Sequence, residues 1–216
     1  SSHSNVFGGG ELPFLSNILH EGIFNNKNLA NIDNNKLNDL LKIIQGQYVS
    51  KISKIDSSDK MFIDKAPLNF KYIGFIKKIF PNSKIINCNR DPIDICWSNY
   101  KNFFSGTLPF SNNLNDLASF YILYQNYIKF WKELFPNEVY DVVYEELVEN
   151  PKEEIKNLLK FCNLRFEENC LKHENNPKSI KTASWVQARK PIYKSAIKSS
   201  DYFKPYLGEL IEKIKN

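Results

Sequence analysis

The stretch Ser83–Tyr100, SKIINCNRDPIDICWSNY, constrains this chain most. It reads as a short buried strand, a turn and a helix. Lys84–Cys88 carries β-branched apolar residues, as an interior strand does. Asp91 can cap the helix, and Pro92 suits its first turn, where a missing N–H costs nothing. Arg90 then stands at the carboxyl end of a strand, where open α/β sheets bind ligands. Ser98 lies seven residues after Asp91, two helical turns on, and falls on the face of the helix start. An Arg fork and a Ser hydroxyl converging beside a positive helix N-terminus make a phosphate site. The alternative for Arg90 is a salt bridge with Asp91 or Asp94.

Elsewhere short strands alternate with helical patterns. Ser1–Ser16 reads as a loop leading into a helix near Leu15–Ile23, and the Asn-rich Asn25–Asn38 as a surface loop. Leu37, Leu40, Leu41, Ile44 and Tyr48 recur at helical spacing. Met61–Asp64 reads as a strand, and Asn69–Phe80 as a helix whose Phe70, Ile73, Ile76 and Ile79 face a sheet. The Ser83–Tyr100 pattern extends its helix over Pro92–Phe103. A long helix over Leu114–Leu134, a strand over Val139–Val143, and helices over Pro151–Phe161 and Glu167–His173 follow. Asn175–Ser195 has no clear period and holds several Lys; Asp201–Ile214 reads as a closing helix. This alternation predicts an α/β fold with a parallel sheet covered on both faces. A chain of 216 residues makes one domain, 1–216, the default.

Composition narrows the function classes. An apolar content of 42% with 14% aromatics argues against disorder. The net charge is only +5, and no basic block interleaves with stacking aromatics, so nucleic acid is not expected as a partner. No run approaches a membrane span and the start is polar, without a signal-peptide pattern, so a cytoplasmic place away from membranes is expected. Cys88, Cys96, Cys162 and Cys170 form no CxxC pair, and His3, His20 and His173 have no partners at ligand spacing; no metal is expected. Cys88 and Cys96 read as small buried apolar side chains.

Arg90-Asp91-Pro92 followed by Ser98 resembles the 3′-phosphate-binding motif of sulfotransferases that use PAPS (3′-phosphoadenosine 5′-phosphosulfate). Asp64-Lys65-Ala66-Pro67-Leu68-Asn69 resembles that family's DKxPxN segment, Phe80-Pro81-Asn82-Ser83-Lys84 its FPxxK, and Tyr144-Glu145-Glu146-Leu147-Val148 its YExLV. Thr182-Ala183-Ser184, Gln187 and Lys190-Pro191-Ile192-Tyr193 resemble the late loop of the tyrosylprotein sulfotransferase branch, which includes bacterial proteins whose domain follows tetratricopeptide repeats. The resemblance runs from about Val6 to Pro205 and implies a three-layer, P-loop-type parallel sheet flanked by helices. The family opens with a strand and a Gly-rich loop, similar to PRSGTT, that cradles the 5′-phosphosulfate. No such loop occurs here, and Gly8-Gly9-Gly10 lacks the GxxxxGK[ST] spacing. The expectation is a sulfotransferase domain incomplete at its amino end, lacking that first strand and loop, with any tetratricopeptide repeats upstream.

Sulfuryl transfer needs a base for the acceptor proton, a cation near the bridging oxygen, and a grip on the nucleotide. The resemblance implies Glu11, eight residues after His3, as the base. From the residues alone it reads as a helix-start acid stabilised by the dipole. The resemblance likewise implies Lys65 as the cation and Ser184 as a second donor to the same oxygen. Bland alternatives are a solvated rim Lys and an ordinary loop Ser. The resemblance further implies that Arg90 and Ser98 hold the 3′-phosphate, that Tyr144 packs on or hydrogen-bonds the nucleotide, and that Lys190 clamps the 3′-phosphate or the substrate; the bland alternative for Tyr144 is a half-buried core Tyr. Lys181 stands where relatives often have Arg, which is not equivalent at a bidentate site, and Asn102 where the animal enzymes have a further Arg. The implied activity is metal-free transfer from PAPS to an acceptor hydroxyl of a small compound or a peptide, tyrosine included. Lys178, Lys181, Arg189 and Lys190 suit an acidic peptide. The alternative is a non-catalytic chain that keeps only the 3′-phosphate half-site. A kinase is disfavoured, since neither a P-loop Lys nor a Mg²⁺ carboxylate motif is visible.

Overall fold

The computed structural model describes residues 1–25, 32–102, 104, 108–176 and 189–215. They form two compact units: Ser1–Ser83 with Glu167–Arg189, and Lys84–Phe166 with Lys190–Asn216. Among the described residues every strand pairing is parallel and the strands alternate with helices, the α/β arrangement that the sequence predicts.

In the first unit β1 (Val6–Gly10) pairs with β2 (Met61–Asp64), in the register Val6↔Met61 through Gly8↔Ile63 and then, across a bulge, Gly10↔Asp64. The predicted loop over residues 1–16 therefore contains a strand. Three consecutive glycines hide it, because glycine has little intrinsic preference for a pleated, half-buried surface. Their smallness is nonetheless required. A Cβ on Gly9 would lie 2.3 Å from Cζ of Phe62, and Gly10 takes φ +82° at the bulge. Next come α1 (Phe14–Leu19), which runs into a π turn over His20–Phe24, and α2 (Asn34–Ser53). Asp33 caps α2 by accepting from the Lys36 N–H at 2.9 Å, so the helix starts inside the predicted Asn-rich loop. Leu41, Ile44 and Tyr48 of α2 join Leu15, Ile18, Leu19 and Ile79 in one core. Leu19 and Ile44 are essentially fully buried, each worth roughly 1.5–3 kcal/mol. The helix predicted over Asn69–Phe80 is a 3₁₀ segment, Pro67–Tyr72, followed by α3 (Ile73–Ile79).

In the second unit β3 (Ile85–Asn89) pairs with β4 (Val139–Val143), Ile85↔Val139 through Asn89↔Val143. Between them lie α4 (Pro92–Tyr100) and α5 (Leu114–Leu134); α6 (Tyr144–Glu149), α7 (Pro151–Phe161) and α8 (Gly208–Lys215) follow. The bounds of α5, β4 and α7 match the sequence prediction. The core joins Ile93 and Cys96 of α4 to Leu117 and Ala118 of α5 and Leu210 of α8. The predicted buried strand needs a correction: β3 buries Asn87, while Ile86 is 37% exposed and Cys88 is exposed. Side chains alternate along a strand, and α5 covers the Asn87 face. There Tyr124 donates to Asn87 Oδ1 at 2.6 Å, Asn87 donates to Asp141 Oδ1 at 2.8 Å, and Lys132 donates to Asp141 Oδ2. A buried amide is stable there because its partners are met. Cys96 is buried as expected, and burial pushes its thiol up to about 12.

Candidate active site

In the first unit the chemistry sits at two adjacent strand ends. Gly10 and Asp64 are register partners, so the next residues, Glu11 and Lys65, leave parallel strands side by side. The Lys65 N–H donates to the Gly10 carbonyl at 2.9 Å, continuing the ladder, and the Lys65 ammonium donates to Glu11 Oε1 in an ion pair. Both side chains stay about half exposed, at 51% and 50%. The sequence-predicted base and cation are thus brought together by the strand that sequence reasoning missed. Beside them Asp64 Oδ2 accepts from the Tyr48 hydroxyl at 2.8 Å. Burial raises the Asp64 carboxyl above the usual range, against the opposing hydrogen bonds of Tyr48 and the Leu12 backbone; burial and the Asp64 charge also raise the Tyr48 phenol. His3 is buried and turned to Glu167, its Nε2 at 3.5 Å from Oε1.

In the second unit Asp91 caps α4 as predicted, accepting from the N–H groups of Ile93 and Asp94, both at 2.9 Å. Arg90 precedes this helix end with its guanidinium carbon 5.0 Å from the centre of the Tyr144 ring. Of the two salt-bridge partners left open by the sequence, the structure selects Asp94: Arg90 Nη2 lies 3.3 Å from Asp94 Oδ2. The same nitrogen donates to the Ala196 carbonyl and, at 3.3 Å, to the Ser199 hydroxyl. Among the described residues Arg90 Nε is buried without a hydrogen-bond partner. Asp94 is 1% exposed and accepts from the Ser200 N–H at 2.8 Å. Burial alone would raise its carboxyl, but the Ser200 hydrogen bonds and the Arg90 charge prevail and hold it below the usual range. Burial raises the Tyr144 phenol, and Tyr193 adds to this. Ser98 lies on α4, but no hydrogen bond joins it to Arg90 among the described residues; its carbonyl accepts from the Asn102 amide at 2.6 Å. Lys190 is exposed. Ser184 lies outside the described residues, as do Lys178, Lys181 and Gln187.

The chain matches the profile of the sulfotransferase family over residues 1–168. It belongs to the sulfotransferase family. A relative from Aquifex aeolicus (strain VF5), an uncharacterized protein, is 33% identical over 225 aligned residues, covering 98% of this chain and 29% of that protein. The chain therefore spans under a third of this relative's length. Two solved structures share the fold at 18% identity. One is the sulfotransferase domain of the Synechococcus PCC 7002 olefin synthase, with TM-score 0.61 over 93% of this chain and 73% of that one. The other is the sulfotransferase domain of the curacin biosynthetic pathway, with TM-score 0.55 over 87% and 74%.

The residues that hold the named ones in place were legible to different degrees. Asp94 was named as a possible partner of Arg90, from which it stands four residues, a spacing that pairs side chains. Ser199 and Ser200 had none, because more than a hundred residues separate them from Asp94. Tyr48 appeared only as an apolar position of a helix, since periodicity does not say where a phenol's hydroxyl goes. Among the described residues no helix is long and apolar enough to cross a membrane.

Proposed function

We propose that this sulfotransferase chain moves a sulfuryl group from PAPS to an acceptor hydroxyl, with a peptide tyrosine as the preferred acceptor. The observation that carries it is the Glu11–Lys65 pair at adjacent, half-exposed parallel strand ends. Bound there, PAPS supplies the sulfuryl group and departs as adenosine 3′,5′-bisphosphate. Glu11 takes the proton of the acceptor hydroxyl as the new O–S bond forms. Lys65 places its positive charge, with Ser184 as a second donor, where the bridging oxygen gains negative charge as its bond to sulfur breaks. Arg90, Ser98, Tyr144 and Lys190 grip the nucleotide's 3′-phosphate end. Arg90 Nε, buried and without a partner among the described residues, supports an anion there. The basic residues Lys178, Lys181, Arg189 and Lys190 favour an acidic peptide around the tyrosine. The chemistry needs no metal, and a cytoplasmic setting beside upstream tetratricopeptide repeats belongs to the same proposal.

A second reading keeps the nucleotide grip without turnover. It is favoured by one observation, that Glu11 and Lys65 neutralise each other's charge. Labelled-sulfate transfer from PAPS to tyrosine peptides, with the full-length protein, separates the two. Transfer that falls by ~10²-fold or more in Glu11→Gln, the scale of general-base catalysis, is the expected result. Binding of adenosine 3′,5′-bisphosphate with no transfer to any hydroxyl acceptor would establish the second reading.

A further inference from the structure

The strands β3 and β4 end level. Asn89 is the last residue of one and Val143 of the other, and the two are register partners. Two side-chain contacts carry the pairing past that point. One residue on, the Arg90 guanidinium lies over the Tyr144 ring. Two residues on, the Asp91 N–H donates to Glu145 Oε1 at 3.0 Å. Glu145 and Glu146 both stand in the first turn of α6, where an acid is favoured whatever it touches. Glu145 is half-buried and turned to Asp91, whereas Glu146 is exposed.

The capping of α4 explains why an acid from another element is used. Asp91 is the N-cap, and Asp94 stands at the third position of the helix. In a capping box the side chain at that position reaches back to the N–H of the N-cap residue. Asp94 is committed inward instead: Oδ2 lies 3.3 Å from Arg90 Nη2, and Oδ1 accepts from the Ser200 N–H at 2.8 Å. Glu145 supplies the missing acceptor from the end of the neighbouring strand. The other amides of the turn are taken too. The Arg90 N–H donates to Asn89 Oδ1 at 3.0 Å, Pro92 has none, Ile93 and Asp94 donate to the Asp91 carboxylate, and Ile95 donates to the Asp91 carbonyl at 3.0 Å. Each N–H from residue 90 to 95 therefore has an acceptor within the protein. A helix end usually offers an anion its amides; this one leaves the guanidinium as the group to meet it.

We propose that Glu145 is a positioning residue for the nucleotide grip: its carboxylate fastens the Arg90–Asp91 turn to the end of β4, where the Tyr144 ring backs the guanidinium. The proposal rests on the role given above to Arg90. Glu145 does not touch the nucleotide. As a like charge near a phosphate it is unfavourable, and it is kept because it fixes the backbone from which Arg90 reaches out.

The test compares Glu145→Ala, Glu145→Gln and Glu146→Ala in the full-length protein, by calorimetry with adenosine 3′,5′-bisphosphate and 5′-AMP and by amide hydrogen exchange. Removing a negative charge near an anion would by itself tighten binding in all three. Loss of the fastening acts the other way. Glu145→Ala should raise the Kd of the bisphosphate roughly fivefold, the worth of about one hydrogen bond, and leave 5′-AMP nearly unchanged. Exchange at the Asp91 amide should quicken by about tenfold, the scale of a hydrogen bond to a charged group, while Ile95 keeps its rate. Glu145→Gln retains an acceptor oxygen and should bind the bisphosphate at least as tightly as the wild type. Glu146→Ala should weaken neither ligand and leave Asp91 exchange alone. Glu145→Ala binding the bisphosphate as tightly as the wild type would overturn the proposal, as would Glu145→Gln losing as much as Glu145→Ala, or equal losses for both ligands. If Glu145→Ala does not fold, Glu145→Met, which keeps the length of the side chain without its acceptor, takes its place. If the wild type binds neither ligand, the nucleotide reading fails and this role with it, and Asp91 exchange alone decides whether the fastening exists.

Discussion

The two units hold their charged residues in opposite ways. In the first, the Glu11–Lys65 pair is half exposed, and the burial falls on the neighbouring Tyr48 ring and one carboxylate oxygen of Asp64. In the second, the residue proposed to grip phosphate is itself largely covered: Arg90 is 17% exposed and its partner Asp94 1%, and Asp94 has the Ser200 backbone as a further partner. An exposed pair gains little from its own attraction and can exchange partners when substrate arrives. A buried pair gains rigidity, and one partner cannot be removed cheaply. The difference suits the proposed division of labour. Groups that take a proton or meet a changing charge stay open, while a group that grips a constant phosphate charge is preset.

The largest expected effect follows from that burial. Arg90→Ala leaves Asp94 without its cation and should destabilise the second unit by about 3 kcal/mol, the low end for breaking a buried pair, since the Ser200 N–H remains. Urea unfolding followed by the exchange of α4 and α5 amides measures it; a loss below about 1 kcal/mol would place this pair with the exposed ones. Next, Lys65→Ala should lower kcat for sulfate transfer by about 10²-fold, as removal of one donor to a developing oxyanion does. Nucleotide affinity should stay nearly unchanged, and equal losses in binding and turnover would assign Lys65 to the nucleotide instead.

Acid titration should separate the units by sign. Asp94 has a depressed carboxyl, so its contribution is present above the usual Asp value and lost as pH falls below about 4 through the folded value. Asp64 has a raised carboxyl, so its contribution is present below the usual value and lost as pH rises above about 4 through the folded value. Melting temperature followed against pH should become less acid-sensitive in Asp94→Asn. In Asp64→Asn it should lose less on going from pH 4 to neutrality. The same direction of change in both variants would break the comparison. The smallest effect is the stability change in Glu11→Gln, under about 1 kcal/mol because its pair is exposed.

Much of this was legible in the residues. Asp91-Pro92 announced the start of α4 through local capping chemistry, and the aromatic-rich period over Leu114–Leu134 gave α5 its bounds. The residues named as base and cation do meet. What stayed hidden depends on partners distant in the chain. The β1 strand exists because Phe62 lies across Gly9 and β2 offers a ladder, and glycine carries no local sign of either. Asn87 is buried in β3 because Tyr124 and Asp141 satisfy it, which an alternation of apolar and polar residues reads as an exposed position. The anchoring of Asp94 by Ser199 and Ser200 is likewise a product of folding.

Calorimetry on the full-length protein tests the division of labour most directly, with adenosine 3′,5′-bisphosphate and 5′-AMP titrated into the wild type, Arg90→Ala and Glu11→Gln. The account predicts that Arg90→Ala weakens the bisphosphate by more than ~1.5 kcal/mol, the low end for a charged hydrogen bond, and 5′-AMP far less. Glu11→Gln should bind both as the wild type does. Equal losses for both ligands in Arg90→Ala, or a bisphosphate loss in Glu11→Gln as large as that in Arg90→Ala, would contradict it.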